Sequence, residues 1–148
     1  MFDIVRQQIG RTVPFARLIG IVVDVLERGR ATTRVAEAPD LLNHVGTLHA
    51  GVLFSACEAA TGAALVGALL PVIMRTRFVV REARIEYLKP AKGALLAQAM
   101  LVDDPEVVLD DLQRMGCADV DVDVCARTTD AVIVAKATFH WSLKLLDG

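Results

Sequence analysis

The sequence has few cysteines and little net charge, and it lacks an apolar leader; each shortage argues against a class of protein. Its three cysteines, Cys57, Cys117 and Cys125, are far apart and form no C-x-x-C pair, which argues against a disulfide framework or a zinc ribbon. The formal net charge of −2 provides no basic surface for nucleic acid or an anionic membrane. The first fifteen residues lack the h-region of a signal peptide. We therefore expect a cytoplasmic protein that binds neither nucleic acid nor membrane.

Apolar residues are abundant, at 54% of the chain against 23% charged residues. A length of 148 residues suits one domain with its own core, and the apolar excess predicts surface that is hidden in an oligomer. The longest apolar run, Val45–Met74, could span a bilayer by length. A charge is costly at the centre of a membrane, and Glu58 lies there. We interpret the run as the buried helix of a globular core.

Short patterns predict the elements before this helix. Residues 1–16 are predicted to form a helical lead, in which apolar positions recur at helical spacing and Pro14 ends any helix before it. Two extended segments within 18–37 meet near Gly29 and are rich in β-branched residues. Pro39–Gly46 is predicted to be a loop, and Pro71 closes the apolar helix.

Four strands are predicted after the apolar helix, within residues 78–90, 93–104, 119–128 and 132–145. A helical insertion at 104–116 separates the second strand from the third, with Asp104 at its N-cap and Gly116 at its stop. Strict alternation over the third strand places its apolar residues inward: Val120, Val122, Val124 and Ala126. The order predicts an α+β fold, a single domain over 1–148 in which a curved antiparallel sheet wraps one long helix.

Glu58 is the one acid in the apolar helix, and its neighbours suggest a site. Residues three or four apart share a helix face, and this face carries small and polar residues: Gly51, Ser55, Thr61 and Gly62. Such a face leaves room for a ligand beside the carboxylate. The alternative is a structural acid paired with an arginine across an interface, for which the candidates are Arg77, Arg81 and Arg84.

The stretch N-H-V-G-T-L-H-A-G at 43–51 favours a catalytic role for Glu58 over a structural one. The first backbone N–H groups of a helix have no partner inside it and carry partial positive charge, so a helix N-terminus can stabilise a developing oxyanion. Asn43 and His49 are placed to orient a carbonyl or a water. Ala50 precedes Glu58 by eight residues, about 12 Å along the axis, so one carbonyl cannot reach both in one chain. Two antiparallel helices about a two-fold axis would join them, which predicts a composite site in a homodimer, or in a tetramer built from it.

The pattern N-x-x-G-x-x-H-x-G, followed by an acid nine residues after the histidine, resembles the hotdog-fold acyl-CoA thioesterases. The branch concerned includes the phenylacetyl-CoA and 4-hydroxybenzoyl-CoA enzymes. The likeness is strongest to an uncharacterised thioesterase branch with NHxGTLHAG, a following Glu and a downstream YLKP, here Tyr87–Pro90. It covers essentially the whole chain, and it implies hydrolysis of a thioester of CoA or acyl-carrier protein.

The resemblance also implies roles for individual residues. Glu58 matches the nucleophile or general base, and the Ala50 amide matches the group that polarises the thioester carbonyl. Asn43 matches the residue that positions the water or the carbonyl, while His49 supports the loop and the thioester. The chain departs from the commoner pattern in two places, because Ala50-Gly51 replaces Gly-Gly and Glu58 replaces an aspartate. Water activation and covalent attack by Glu58 therefore both stay open.

The carrier implied by the resemblance is CoA or phosphopantetheine. Candidates for its phosphates are the cations Arg75, Arg77, Lys89 and Lys92. Ser55, Thr61 and Gly62 are expected to line an apolar pocket for an acyl chain or a small aromatic acyl group. We expect no metal and no cofactor. Cys57 points to another helix face and is interpreted as a small core residue.

Three other functions fit parts of the pattern. A hotdog module that binds acyl-CoA without turnover would share the fold, although it would gain nothing from a buried acid. A hydratase or dehydratase would need a His and Asp pair, and no Asp lies among the candidate residues. A purely structural dimer would tolerate larger residues on the Gly51–Gly62 face.

Overall fold

A curved antiparallel sheet of six strands wraps a long helix in a computed structural model that describes residues 1–147. The strands are β1 Val22–Glu27, β2 Arg30–Val35, β3 Thr76–Tyr87, β4 Leu95–Leu101, β5 Cys117–Thr128 and β6 Ile133–Leu145. The helices are α1 Phe2–Thr12, α2 Pro14–Ile19, α3 Ala50–Ala68 and α4 Pro105–Met115. This arrangement confirms the α+β hotdog fold expected from the sequence.

The strand order is β1-β2-β4-β5-β6-β3, which leaves β1 and β3 at the two edges. On β5 the inward side chains are buried and the acids between them are exposed, as the alternation predicts. The β3 edge has twelve residues and, within residues 1–147, pairs with β6 alone. A strand of this length with one unpaired edge is a ready surface for pairing with another chain.

The α3 helix lies in the concave side of the sheet because small residues let the strands approach it closely. Ala56, Ala60 and Ala64 have no exposed surface, and the buried Thr33 hydroxyl of β2 donates to the Ala56 carbonyl at 2.8 Å. α3 is the one helix among the described residues that is long and apolar enough to span a bilayer, yet most of it is buried inside the protein. The apolar run is therefore a core helix.

Gly67→Ala is expected to destabilise the fold by about 3 kcal/mol, the upper end for an overpacked core position. A Cβ at Gly67 would lie 2.1 Å from the Glu27 carbonyl oxygen, where backbone cannot yield easily. Gly62→Ala is the matched control on the same helix, because its Cβ would meet Trp141 at 3.4 Å and alanine gains up to about 1 kcal/mol of helix propensity. Urea denaturation should separate the two variants. A Gly67→Ala protein as stable as the control would contradict this packing.

The N-terminal lead differs from the prediction. The helix before Pro14 ends at Thr12, as predicted, but Pro14 then occupies the first position of a second helix, α2, where its fixed φ and missing N–H are compatible with a helix. The helical lead therefore runs to Ile19 instead of residue 16. The predicted insertion is confirmed: Asp104 caps α4 by accepting from the Glu106 amide at 2.8 Å, and Gly116 ends it at φ 74°.

Candidate active site

The loop before α3 is held together by Asn43. Its side-chain oxygen accepts from the amides of Val45 and Thr47, each at 3.1 Å, and its NH₂ group donates to the Thr47 hydroxyl at 2.9 Å. Gly46 completes the turn at φ 78°, a conformation that favours glycine. The Asn43 amide is thus turned into the loop, where it shapes the segment that leads to the helix.

His49 caps α3 with its ring. The Gly51 amide donates to His49 Nδ1 at 2.9 Å, so a neutral His49 carries its proton on Nε2. A Cβ on Gly51 would lie 3.0 Å from Nδ1, and the glycine therefore leaves room for this cap. Among the described residues the Ala50 amide donates to no protein acceptor, which is expected for the first residue of a helix. Tyr87 borders this end of α3, with its hydroxyl 3.4 Å from the Ala50 carbonyl oxygen.

Glu58 projects into a pocket of about 410 Å³ between α3, the helices α1 and α2, and the sheet. Its carboxylate makes no hydrogen bond or ion pair with the described residues, and burial raises the pKa of the Glu58 carboxyl above its ordinary value of 4.5. The arginines considered as partners do not reach it within this chain. A partly buried, unpaired carboxyl group with a raised pKa is suited to accepting a proton.

Cys57, the neighbour of Glu58, lies on a different, buried face of α3 and does not line the pocket. Its side chain has no exposed surface, and burial raises the pKa of its thiol to about 12. A thiol with that pKa carries almost no thiolate near neutral pH. Cys57 is a core residue and not a nucleophile.

The predicted substrate-binding residues separate into those that line the Glu58 pocket and those that lie elsewhere. Ser55 and Gly62 line it, and Gly51 lines a neighbouring depression with His49 and Tyr87. The prediction for Thr61 is wrong, because this residue is fully buried and lies outside the pocket. Its hydroxyl donates to the Glu58 carbonyl at 2.8 Å and accepts from Trp141 Nε1 at 3.1 Å.

The predicted phosphate-binding cations are exposed but lie at opposite ends of β3. Arg75 and Arg77 lie where the strand begins, near the C-terminus of α3, and Lys89 follows the strand's end, near Ala50. The length of β3 separates the two groups by roughly 36 Å at about 3.3 Å per residue. They cannot contact the same phosphates within one protomer.

Several pocket residues were missed from the sequence. Phe54 is 37% exposed and lines the pocket with Glu58. Phe78 and Trp141 form another wall, with ring centroids 5.6 Å apart. Phe15 lines the side of the pocket that α2 provides. Only Phe54 gave a local signal, since it precedes Glu58 by four residues on the helix.

A family model matches this chain over residues 3–143, and its description is domain of unknown function DUF4442. The chain belongs to the DUF4442 family. The match includes α2, α3, α4, the strands β1 to β5 and all but the last two residues of β6. This DUF4442 protein has the hotdog fold, which it shares with solved structures described as thioesterases.

Known proteins with a similar sequence or structure bear related descriptions. A protein of Halobacterium salinarum described as a candidate esterase is 28% identical over 129 residues, covering 82% of this DUF4442 chain and 80% of the relative. A candidate thioesterase from Pseudomonas aeruginosa superposes with a TM-score of 0.83 at 23% identity, covering 97% and 95% of the two chains. A hypothetical thioesterase from Streptococcus pneumoniae, solved with coenzyme A, has a TM-score of 0.67 at 20% identity, covering 86% and 88%.

Proposed function

We propose that this protein hydrolyses an acyl thioester of CoA or acyl-carrier protein to a free acid and a thiol. The observation that carries the proposal is the unpaired Glu58 carboxylate, which has a raised pKa and faces an apolar pocket. Burial of an unpaired carboxyl group costs stability unless the group has a use. The esterase and thioesterase descriptions of its relatives agree with this chemistry.

The reaction follows from what the residues can do. A water beside Glu58 attacks the thioester carbonyl carbon while the carboxylate takes its proton. The free Ala50 amide at a helix N-terminus donates to the oxygen that becomes negative. Cleavage of the C–S bond releases the thiolate, which receives the proton from Glu58. Direct attack by Glu58 would give an anhydride that water then cleaves, and both routes need the same carboxylate.

The active unit is a homodimer with two composite sites, because Ala50 and Glu58 lie about 12 Å apart along one helix. The unpaired edge of β3 supports self-association. Its outward face carries Arg77 near one end and Glu86 near the other, so antiparallel pairing of two β3 strands would set opposite charges across the two-fold axis. The same pairing would bring Lys89 close to the partner's Arg75, uniting the two groups of cations.

CoA is the carrier that we favour. The Streptococcus pneumoniae neighbour was solved with coenzyme A, and the cations at the ends of β3 are suited to phosphates. Lys89, Arg75 and Arg77 are the proposed contacts in the dimer.

Thiol release from a panel of acyl-CoAs, short, long and aromatic, tests the proposal. Purified protein should release free CoA at a rate proportional to enzyme concentration, with a clear preference within the panel. Release no faster than the uncatalysed rate, combined with tight binding of acyl-CoA, would overturn the proposal in favour of a binding module.

A further inference from the structure

The pocket beside Glu58 offers an acyl group almost nothing to hydrogen-bond with. Two of its lining residues have hydroxyls, and both donate to the backbone: Ser55 to the Gly51 carbonyl at 2.7 Å and Thr12 to the Ile9 carbonyl at 3.0 Å. The remaining side chains are apolar, apart from the Glu58 carboxylate. A polar substituent on the acyl group would lose its hydrogen bonds to water on entering.

The pocket is elongated along α3 and extends unequally from Glu58. Its helical wall runs from Phe54 to Val66. Glu58 is four residues from the first and eight from the second, or about 6 Å and 12 Å along the axis. The thioester carbonyl must lie beside Glu58 for the proposed reaction, so the longer arm toward Val66 is where an extended acyl chain has room.

The wall of the longer arm is rigid at Trp141. Trp141 is 4% exposed, its indole N–H donates to the Thr61 hydroxyl at 3.1 Å, and its ring packs against Phe78. Gly62 faces it, and a Cβ there would lie 3.4 Å from Cη2 and 3.5 Å from Cζ2 of Trp141. Any side chain longer than alanine at position 62 must therefore turn into the pocket.

We propose that the site accepts an unsubstituted, extended aliphatic acyl chain, which runs from Glu58 past Gly62 and along Trp141, and that Gly62 sets the chain length accepted. This inference rests on the proposed function for the position of the thioester carbonyl. Thr61 acts as a positioning residue, because its hydroxyl fixes the indole that forms the wall.

Trp141 is the one tryptophan in the sequence, so its fluorescence reports occupancy of the longer arm without any need for turnover. The probes are S-alkyl-CoA thioethers of increasing chain length, which cannot be hydrolysed, with S-benzyl-CoA and CoA alone for comparison. We expect CoA alone to leave the Trp141 emission unchanged. Affinity for the thioethers should rise about fourfold per methylene until the arm is full and then level off.

Gly62→Leu should make this rise level off at a shorter chain, with the shortest thioethers bound as in the wild type, which also verifies the fold. Gly62→Ala, which suits a helix, should produce a smaller shift in the same direction. Thr61→Val removes the hydrogen bond that holds the Trp141 indole. The chain length at which the affinity levels off should therefore be less sharply defined in this variant. S-benzyl-CoA binding better than every alkyl thioether, affinity independent of chain length, or an unchanged limit in both Gly62 variants would overturn the inference. Absence of thiol release with an intact chain-length limit would instead refute only the proposed hydrolysis.

Discussion

Glu58→Gln is expected to lower kcat by about 10²–10⁴-fold, the range associated with loss of a general base, while the protein stays folded and dimeric. Glutamine keeps the size and shape of the side chain but cannot take a proton from water. Because the carboxylate has no partner among the described residues, its replacement deprives no other group of a hydrogen bond or ion pair. Thiol release from the best acyl-CoA of the panel measures the effect.

Because the pKa of Glu58 is raised, both the activity and the stability of the protein should depend on pH in a way that identifies this residue. The wild-type kcat/KM should rise with pH through a pKa above the ordinary 4.5, because the base acts when ionised. The folded protein binds this proton more tightly than the unfolded chain. The free energy of unfolding contributed by Glu58 is therefore greatest below 4.5 and falls as pH rises through the raised pKa. Glu58→Gln should lack this fall, so its stability relative to wild type should increase over that window.

Glu106→Gln is the control for the Glu58 variant, because Glu106 lies on α4 in an exposed ion pair with Arg28 and such pairs contribute little. It should retain full activity. A Glu58→Gln protein that turns over acyl-CoA as fast as this control would remove Glu58 from the mechanism.

Ala50→Pro is expected to lower kcat by about 10²–10³-fold, the effect of deleting one donor to an oxyanion. Ala50 is the first residue of α3, where proline is well tolerated. The preceding His49 has φ −62° and ψ 142°, the extended conformation that a residue before proline prefers. The substitution thus removes a single N–H and preserves the helix.

Ala50→Ser is the matched control, since it adds a side chain at the same place and keeps the amide donor. Its kcat should stay near that of wild type, and circular dichroism should show equal helix content in both variants. Equal kcat for Ala50→Pro and Ala50→Ser would exclude the Ala50 amide as the oxyanion donor.

The sequence predicts the elements whose signals are local. The alternation on β5, the capping residues Asp104 and Gly116 and the apolar run of α3 each depend on neighbouring residues, and the structure has all of them. Pro14 ends the helix before it, as predicted, but it also starts α2, because proline suits the first position of a helix as well as the end of one. The register that puts Trp141 beside Gly62 depends on β6 pairing with β3 and β5, which no local pattern encodes.

The residues of the candidate site likewise separate into those placed by local structure and those whose contacts depend on distant parts of the chain. Glu58, His49 and Ala50 lie within sixteen residues of Asn43, and their placement follows from one loop and one helix. Thr61 shares the helix but its hydroxyl is turned toward Trp141, a contact that the helix pattern could not reveal. The separation of Arg77 from Lys89 follows from the direction of β3, and only a second chain would bring such cations together.

The most direct test of the composite site is to mix the two inactive proteins, Glu58→Gln and Ala50→Pro, after dissociating and reassembling their dimers. Each mixed dimer would contain one site with both its Glu58 and its Ala50 amide intact. Random reassembly should restore roughly a quarter of wild-type thiol release, since half of the dimers are mixed and each has one of two sites working. Activity that stays at the level of the two separate variants, with mixed dimers present, would contradict a site shared between chains.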